Sequence, residues 1–203
     1  GCPAPVERIV GVCRQIMADI DQTLAAGDFP LVLGDDHSLA VGTWSAIART
    51  AGAPIGLLWI DAQPDPPTPV SSGSTASPGR ALACLLGRGD PRLLHLGLSG
   101  AQLMPEFTVV FGARSDDPEA LEFLSRMGVR VLQQAEIDDI GFAAAMDEAL
   151  AIVETAPNGF GVSLDLDALG PRTAPGIGPP EPDGLFGRQV LASIGHIADA
   201  TGL

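Results

Sequence analysis

Apolar residues near the start of the chain fall at Ile9, Val12, Ile16, Ile20 and Leu24. Steps of three or four predict an amphipathic helix over residues 6–25, closed by Gly27. The wholly apolar run PLVLG (30–34) predicts a short buried strand. Residues 38–52 predict a helix with Ser38 at its N-cap and Gly52 as its stop, and IGLLWID (55–61) predicts another buried strand. Residues 62–78 carry too much Pro, Ser and Gly for either regular element. Beyond them the alternation resumes. GRALACLLG reads as a short helix, LLHLG (93–97) as a strand or a turn, and TVVFGAR (108–114) as a strand. Residues 117–128 open on Asp-Pro and end in Gly, which predicts a helix. VRVL reads as a strand and residues 141–155 as an Ala-rich helix. GVSLDLDAL (161–169) is the last predicted strand, followed by a Pro/Gly loop and a helix over 187–200.

Apolar strands alternating with helices predict an α/β fold: three layers, α-β-α, around a mainly parallel sheet. The same alternation runs through the Pro/Ser stretch, so residues 1–203 are expected to form a single domain. Gly 25 and Pro 18 suit a fold with many loop crossings better than a helical bundle. No apolar run is long enough to span a bilayer, and the N-terminal residues lack the pattern of a secretory signal. Cys2, Cys13 and Cys84 show no CxxC spacing and read as free thiols, with a cytoplasmic location expected. Eleven Lys+Arg against 25 Asp+Glu give a formal net charge of -14. That balance argues against a nucleic-acid partner and favours cations. No GxGxxG or Walker pattern follows a strand, which argues against a nucleotide-binding protein.

Ligands of parallel sheets sit at the carboxyl ends of the strands. Three predicted strand ends carry acidic or imidazole groups: Asp35, Asp36 and His37; Asp61, Gln63 and Asp65; Asp165 and Asp167. A spacing of two in extended chain puts Asp61, Gln63 and Asp65 on one side, and Asp165 with Asp167. A single Asp at a strand end is more often a turn former or cap than a ligand. A pair inside an apolar strand is rarer. Several carboxylates converging with one imidazole cannot all stay ionised without a compensating cation. Oxygen-rich ligation with one nitrogen suits Mn²⁺ or a similar divalent ion better than structural zinc. His95 and His196 lack such company, and His196 is expected at the surface or capping its helix.

These motifs resemble those of the arginase/agmatinase (ureohydrolase) family. LVLGDDHSLAVGTWS is similar to the family's Gly-Gly-Asp-His-Ser segment, LLWIDAQPD to its Asp-Ala-His-x-Asp, and SLDLDALGP to its Ser-x-Asp-x-Asp-x-x-x-Pro. The resemblance implies an arginase-like fold and hydrolysis of a guanidinium C–N bond, with urea released by water activated between two manganese-type ions. It implies a first ion held by His37, Asp61, Asp65 and Asp165. A second would be held by Gln63, Asp167 and the bridging Asp61 and Asp165. Gln63 replaces a family histidine, so one firm and one weakened site are expected. Ser74 and Asp117 match substrate-binding positions for a small cationic guanidino compound. Pro78 aligns with a catalytic-loop histidine, and Pro67 and Ala76 with two substrate-holding asparagines. Asp35 and Ala168 stand where the family has glycine. The resemblance leaves out the family's usual first strand before Gly1 and the guanidinium-gripping glutamate that follows a segment like ATGL, so either the true chain is longer or the protein lacks both edges. Family members form trimers or hexamers, so a homo-oligomer is implied. The resemblance names no catalytic residue of this chain. The alternative is a catalytically weak or inactive relative with a binding, assembly or regulatory role.

Overall fold

The computed structural model describes residues 5–63, 81–114, 118–177 and 183–203. It resolves into two compact units, residues 1–54 with 65–103 and residues 55–64 with 104–203.

The first unit is helical among its described residues: α1 (Pro5–Ala25), α2 (Leu39–Ala51), α3 (Ala81–Leu85) and α4 (Pro91–Leu94). Helix α1 is the amphipathic helix expected, but its buried stripe is Val6, Val10, Cys13, Met17 and Ile20. Val12, assigned to the core from its spacing, is 49% exposed. The stripe through Cys13 and Met17 keeps a regular four-three alternation, and Cys13 takes the core role that a free thiol ordinarily has. Met17 and Ile20 pack on Ala46 of α2. Gly42 of α2 allows the close approach, since a Cβ there would lie 2.8 Å from the Cys13 Cα and carbonyl oxygen. Ser38 holds the N-cap position of α2 without a side-chain bond. Instead the Ser38 amide donates to Asp36 Oδ1 at 3.0 Å. Gly52 ends α2 in the left-handed conformation, as expected.

Two expectations fail in this unit. PLVLG forms no strand, and Leu31 and Leu33 are 77% and 84% exposed. An apolar run favours burial, but a strand exists only where a partner completes its hydrogen-bond ladder. LLHLG is neither strand nor turn at its start, because Asp90 caps helix α4 with Pro91 in the first turn.

The second unit holds the sheet, in the order β3-β2-β1-β4. Its strands are β1 (Ile55–Ile60), β2 (Leu103–Ala113), β3 (Arg130–Gln133) and β4 (Phe160–Leu164). Strands β1 and β4 run parallel in register from Gly56↔Phe160 to Ile60↔Leu164, and β2 and β3 are also parallel. Every residue of β1 is buried, the pattern of a strand covered on both faces. Helix α5 (Pro118–Met127) lies between β2 and β3 in the chain. The Ala-rich helix expected over 141–155 is α7 (Phe142–Val153), and a short helix not anticipated, α6 (Gln134–Ile140), precedes it across Gly141 (φ 90). Helix α8 (Gly187–Ala198) follows β4. Leu58, Ile60, Phe111, Leu132, Met146, Val153, Val190 and Ile197 belong to one core of sheet and helix side chains. His196 lies at the surface of α8, 3.6 Å from Asp147. No helix among the described residues is long and apolar enough to cross a membrane.

Phe111 is fully buried and meets Phe142 edge-on at 5.5 Å between centroids. Phe111→Ala should therefore destabilise the protein by about 3–5 kcal/mol, read as a lower urea midpoint. An unchanged midpoint would contradict the central place of this ring.

Candidate metal centre

The buried strands deliver three carboxylates to the carboxyl edge of the sheet. At the end of β1, the Asp61 amide donates to the Phe111 carbonyl at 3.1 Å, so the residue stays tied to the neighbouring strand. Asp61 is only 4% exposed. Its Oδ2 accepts from Trp59 Nε1 and its Oδ1 from the Gln63 amide, each at 2.7 Å. Trp59 is two residues back on the same strand, so both side chains project from one face.

At the end of β4, the Asp165 amide donates to the Ile60 carbonyl at 2.8 Å. The chain then leaves the strand. Asp165 caps a 3₁₀ turn, Leu166–Ala168, by accepting from the Asp167 amide at 2.9 Å. The expected strand over 161–169 is thus cut short, and Asp167 does not share a face with Asp165 through strand alternation. The turn brings it in instead, and its Oδ1 accepts from the Ala62 amide at 3.0 Å. Ala168, at a family glycine position, is buried in this turn and is not a positive-φ residue. It needs no glycine.

Arg114 follows β2 and joins these segments. Its amide donates to the Ala62 carbonyl at 2.8 Å. Its guanidinium donates to the carbonyls of Asp167 at 2.6 Å and Ala168 at 2.9 Å. Sequence reasoning missed both Arg114 and Trp59. Trp59 could have been found from its two-residue offset to Asp61. Arg114 carried a weaker signal, a lone cation closing an apolar strand.

The electrostatics of the cluster show at Asp167. Burial, then the charge of Asp61, pushes the Asp167 carboxyl up to about 7; Asp165 adds to the shift, while the Ala62 amide and Arg114 oppose it. A divalent cation would remove that repulsion, and carboxylate oxygens are the donors a hard ion takes. The donor set therefore fits a metal.

The other anticipated residues stand as follows. Gln63 is exposed at the end of the Asp61 turn. His37 is half-buried in the helical unit, in the turn entering α2, where its carbonyl accepts from the Ala40 amide at 3.1 Å. Asp65, Ser74 and Asp117 lie outside the described residues, as do Pro67, Ala76 and Pro78. His95 is engaged locally, its Nδ1 lying 2.6 Å from the Pro91 carbonyl.

Fold and centre together define an α/β protein with an acidic cradle at the carboxyl edge of a parallel sheet. The Arginase family model matches residues 2–203. The arginase of Brevibacillus brevis is 37% identical over 195 residues, covering 96% of this chain and 65% of that protein. The arginase of Bacillus caldovelox is 36% identical, covering 92% of this chain and 62% of that protein. The crystal structure of arginase from Bacillus cereus superposes with a TM-score of 0.84 at 32% identity, covering 97% of this chain and 68% of that one. The chain belongs to the arginase family. It spans a little under two thirds of the curated relatives it matches.

The Asp167 shift has a consequence for stability. Between the ordinary value of 3.8 and about 7, the folded chain holds a proton that the unfolded chain releases. Stability from this group therefore falls as pH rises through that window. In chelator, the wild-type urea midpoint should drop relative to Asp167→Asn between pH 4 and 7.5 (about the span of the window). Parallel pH profiles would refute the account.

Proposed function

We propose that this chain is part of a metal-dependent hydrolase of a guanidino or amidino C–N bond in a small cationic compound. The observation that carries the proposal is the carboxylate cluster of Asp61, which is buried, with the half-buried Asp165 and Asp167; all three stand in the family's motif positions. Manganese is the ion proposed. By motif order, His37, Asp61, Asp65 and Asp165 would hold the first ion. Asp167 and Gln63, with Asp61 and Asp165, would hold the second. The bound ions would supply a water of lowered pKa and polarise the group it attacks.

The protein's own contribution is to hold the donors in place. Trp59 and the Gln63 amide fix the Asp61 carboxylate, and the Asp167 amide fixes Asp165. Gln63 is exposed and offers a neutral amide where the family has imidazole, which supports a weaker second site. Ser74 and Asp117 are proposed to contact the substrate's polar end. The acidic balance of the chain favours a cationic substrate.

Gln63 and Pro78 also support a second reading, a family member with little turnover that is retained for binding or regulation. Proline cannot relay a proton, and loss of a general acid costs about 10²–10⁴ in rate. Metal analysis separates the readings when paired with a product screen: urea from arginine, agmatine and guanidinobutyrate, and formamide from formiminoglutamate. Bound manganese with turnover of one of these substrates is expected. Neither metal nor turnover would sink the hydrolase reading, and metal without turnover would favour the second.

Two substitutions test the ligand roles directly. Asp165→Ala should abolish manganese binding, and full retained metal content would remove this residue from the centre. Gln63→His should tighten the weaker ion by about tenfold or more, measured by manganese titration; an unchanged second affinity would refute the role given to Gln63.

A further inference from the structure

We propose that Arg114 is a positioning residue for the metal centre, acting on the Asp167 turn through backbone contacts. The inference rests on the metal-centre reading for its functional meaning, while the contacts behind it are independent of any ion. Three segments meet at this residue: the end of β1 at its backbone amide, the turn after β4 at its side chain, and the end of β2, which it follows. Its guanidinium takes the carbonyls of Asp167 and Ala168, and its own amide takes the carbonyl of Ala62. The Ala62 amide in turn donates to Asp167 Oδ1. Residues 62 and 167 are thereby held to each other directly and, through Arg114, a second time by their main chains.

This arrangement matters because it sets the Asp167 carboxylate close to Asp61 and Asp165. Its Oδ1 accepts from the amide of Ala62, next to Asp61, and its own amide donates to Asp165 Oδ1. Without a clamp, the short turn after β4 could swing the carboxylate toward water. A guanidinium gripping two carbonyls resists that motion and places a positive charge behind the turn. Lysine has the charge but lacks the planar fork needed to hold both carbonyls in this geometry. The two roles, charge and clamp, can therefore be separated by substitution.

The proposal predicts local loosening in Arg114→Lys and Arg114→Gln of the full-length protein. Without metal, the Ala62 and Asp167 amides should exchange with solvent about tenfold faster or more, while amides of the β1 and β4 ladder, such as Leu58 and Val162, keep their protection. Manganese affinity should fall by about tenfold to a hundredfold in both variants. Adding Arg114→Lys to Asp167→Asn should cause little further loss. Wild-type exchange at Ala62 and Asp167 in both variants would overturn the proposal, as would uniformly faster exchange throughout the sheet. Wild-type manganese affinity in Arg114→Lys would overturn the clamp and leave only charge. If the unsubstituted protein binds no manganese, the hydrolase reading fails, and the exchange measurement alone still decides whether Arg114 holds the turn.

Discussion

Like charge gathered in partial burial is the constraint on which the rest of this structure depends. Asp61, Asp165 and Asp167 are brought together by strands whose remaining residues are almost wholly apolar, so the sheet interior cannot solvate them. Their immediate support comes from the chain itself: the Trp59 indole, the amides of Ala62, Gln63 and Asp167, and the Arg114 guanidinium. None of these offsets the burial and the neighbouring carboxylates that together raise Asp167. The sheet supplies the rigidity that holds the carboxylates close. A cation bound there would relieve that cost, and such a cradle belongs at the end of a well-packed core rather than on a loose loop.

The order of elements was largely legible in the sequence because most of the signals were local. Gly52 in the left-handed conformation, Asp-Pro before α5 and the unbroken apolar run of β1 each act within a few residues. The failures were non-local. PLVLG looked like β1 by composition, yet strand identity depends on a pairing partner. The buried stripe of α1 was misplaced because Cys13 and Met17 were not counted among its apolar positions. Helix α6 was missed because its seven residues are too few to show a helical period, whereas the Ala-rich α7 that follows it was read correctly.

At the centre, residue identity was readable and geometry was not. Of the acidic residues singled out at the β1 and β4 exits, Asp61, Asp165 and Asp167 do lie together, and Asp65 falls outside the described residues. The reason given for Asp165 and Asp167 was wrong, because a 3₁₀ turn rather than strand alternation brings the second into place. Arg114 and Trp59 escaped notice because their work is done through backbone carbonyls and a neighbouring carboxylate, contacts that leave no spacing pattern. The departure at Gln63 was visible in the sequence. Its exposure adds that Gln63 stands at the rim of the carboxylate cluster, where water would compete with an amide oxygen for any ion.

The bond from the Trp59 indole to Asp61 Oδ2 has a spectroscopic consequence. The chain has two tryptophans, and Trp59 is coupled at 2.7 Å to a carboxylate of the centre. Trp44 lies elsewhere, with its indole nitrogen buried and unbonded among the described residues. Electron density drawn from Asp61 weakens its pull on the indole proton and changes the polarity felt by that ring's excited state. The protein thus carries its own optical reporter at the centre, and the second fluorophore provides an internal reference.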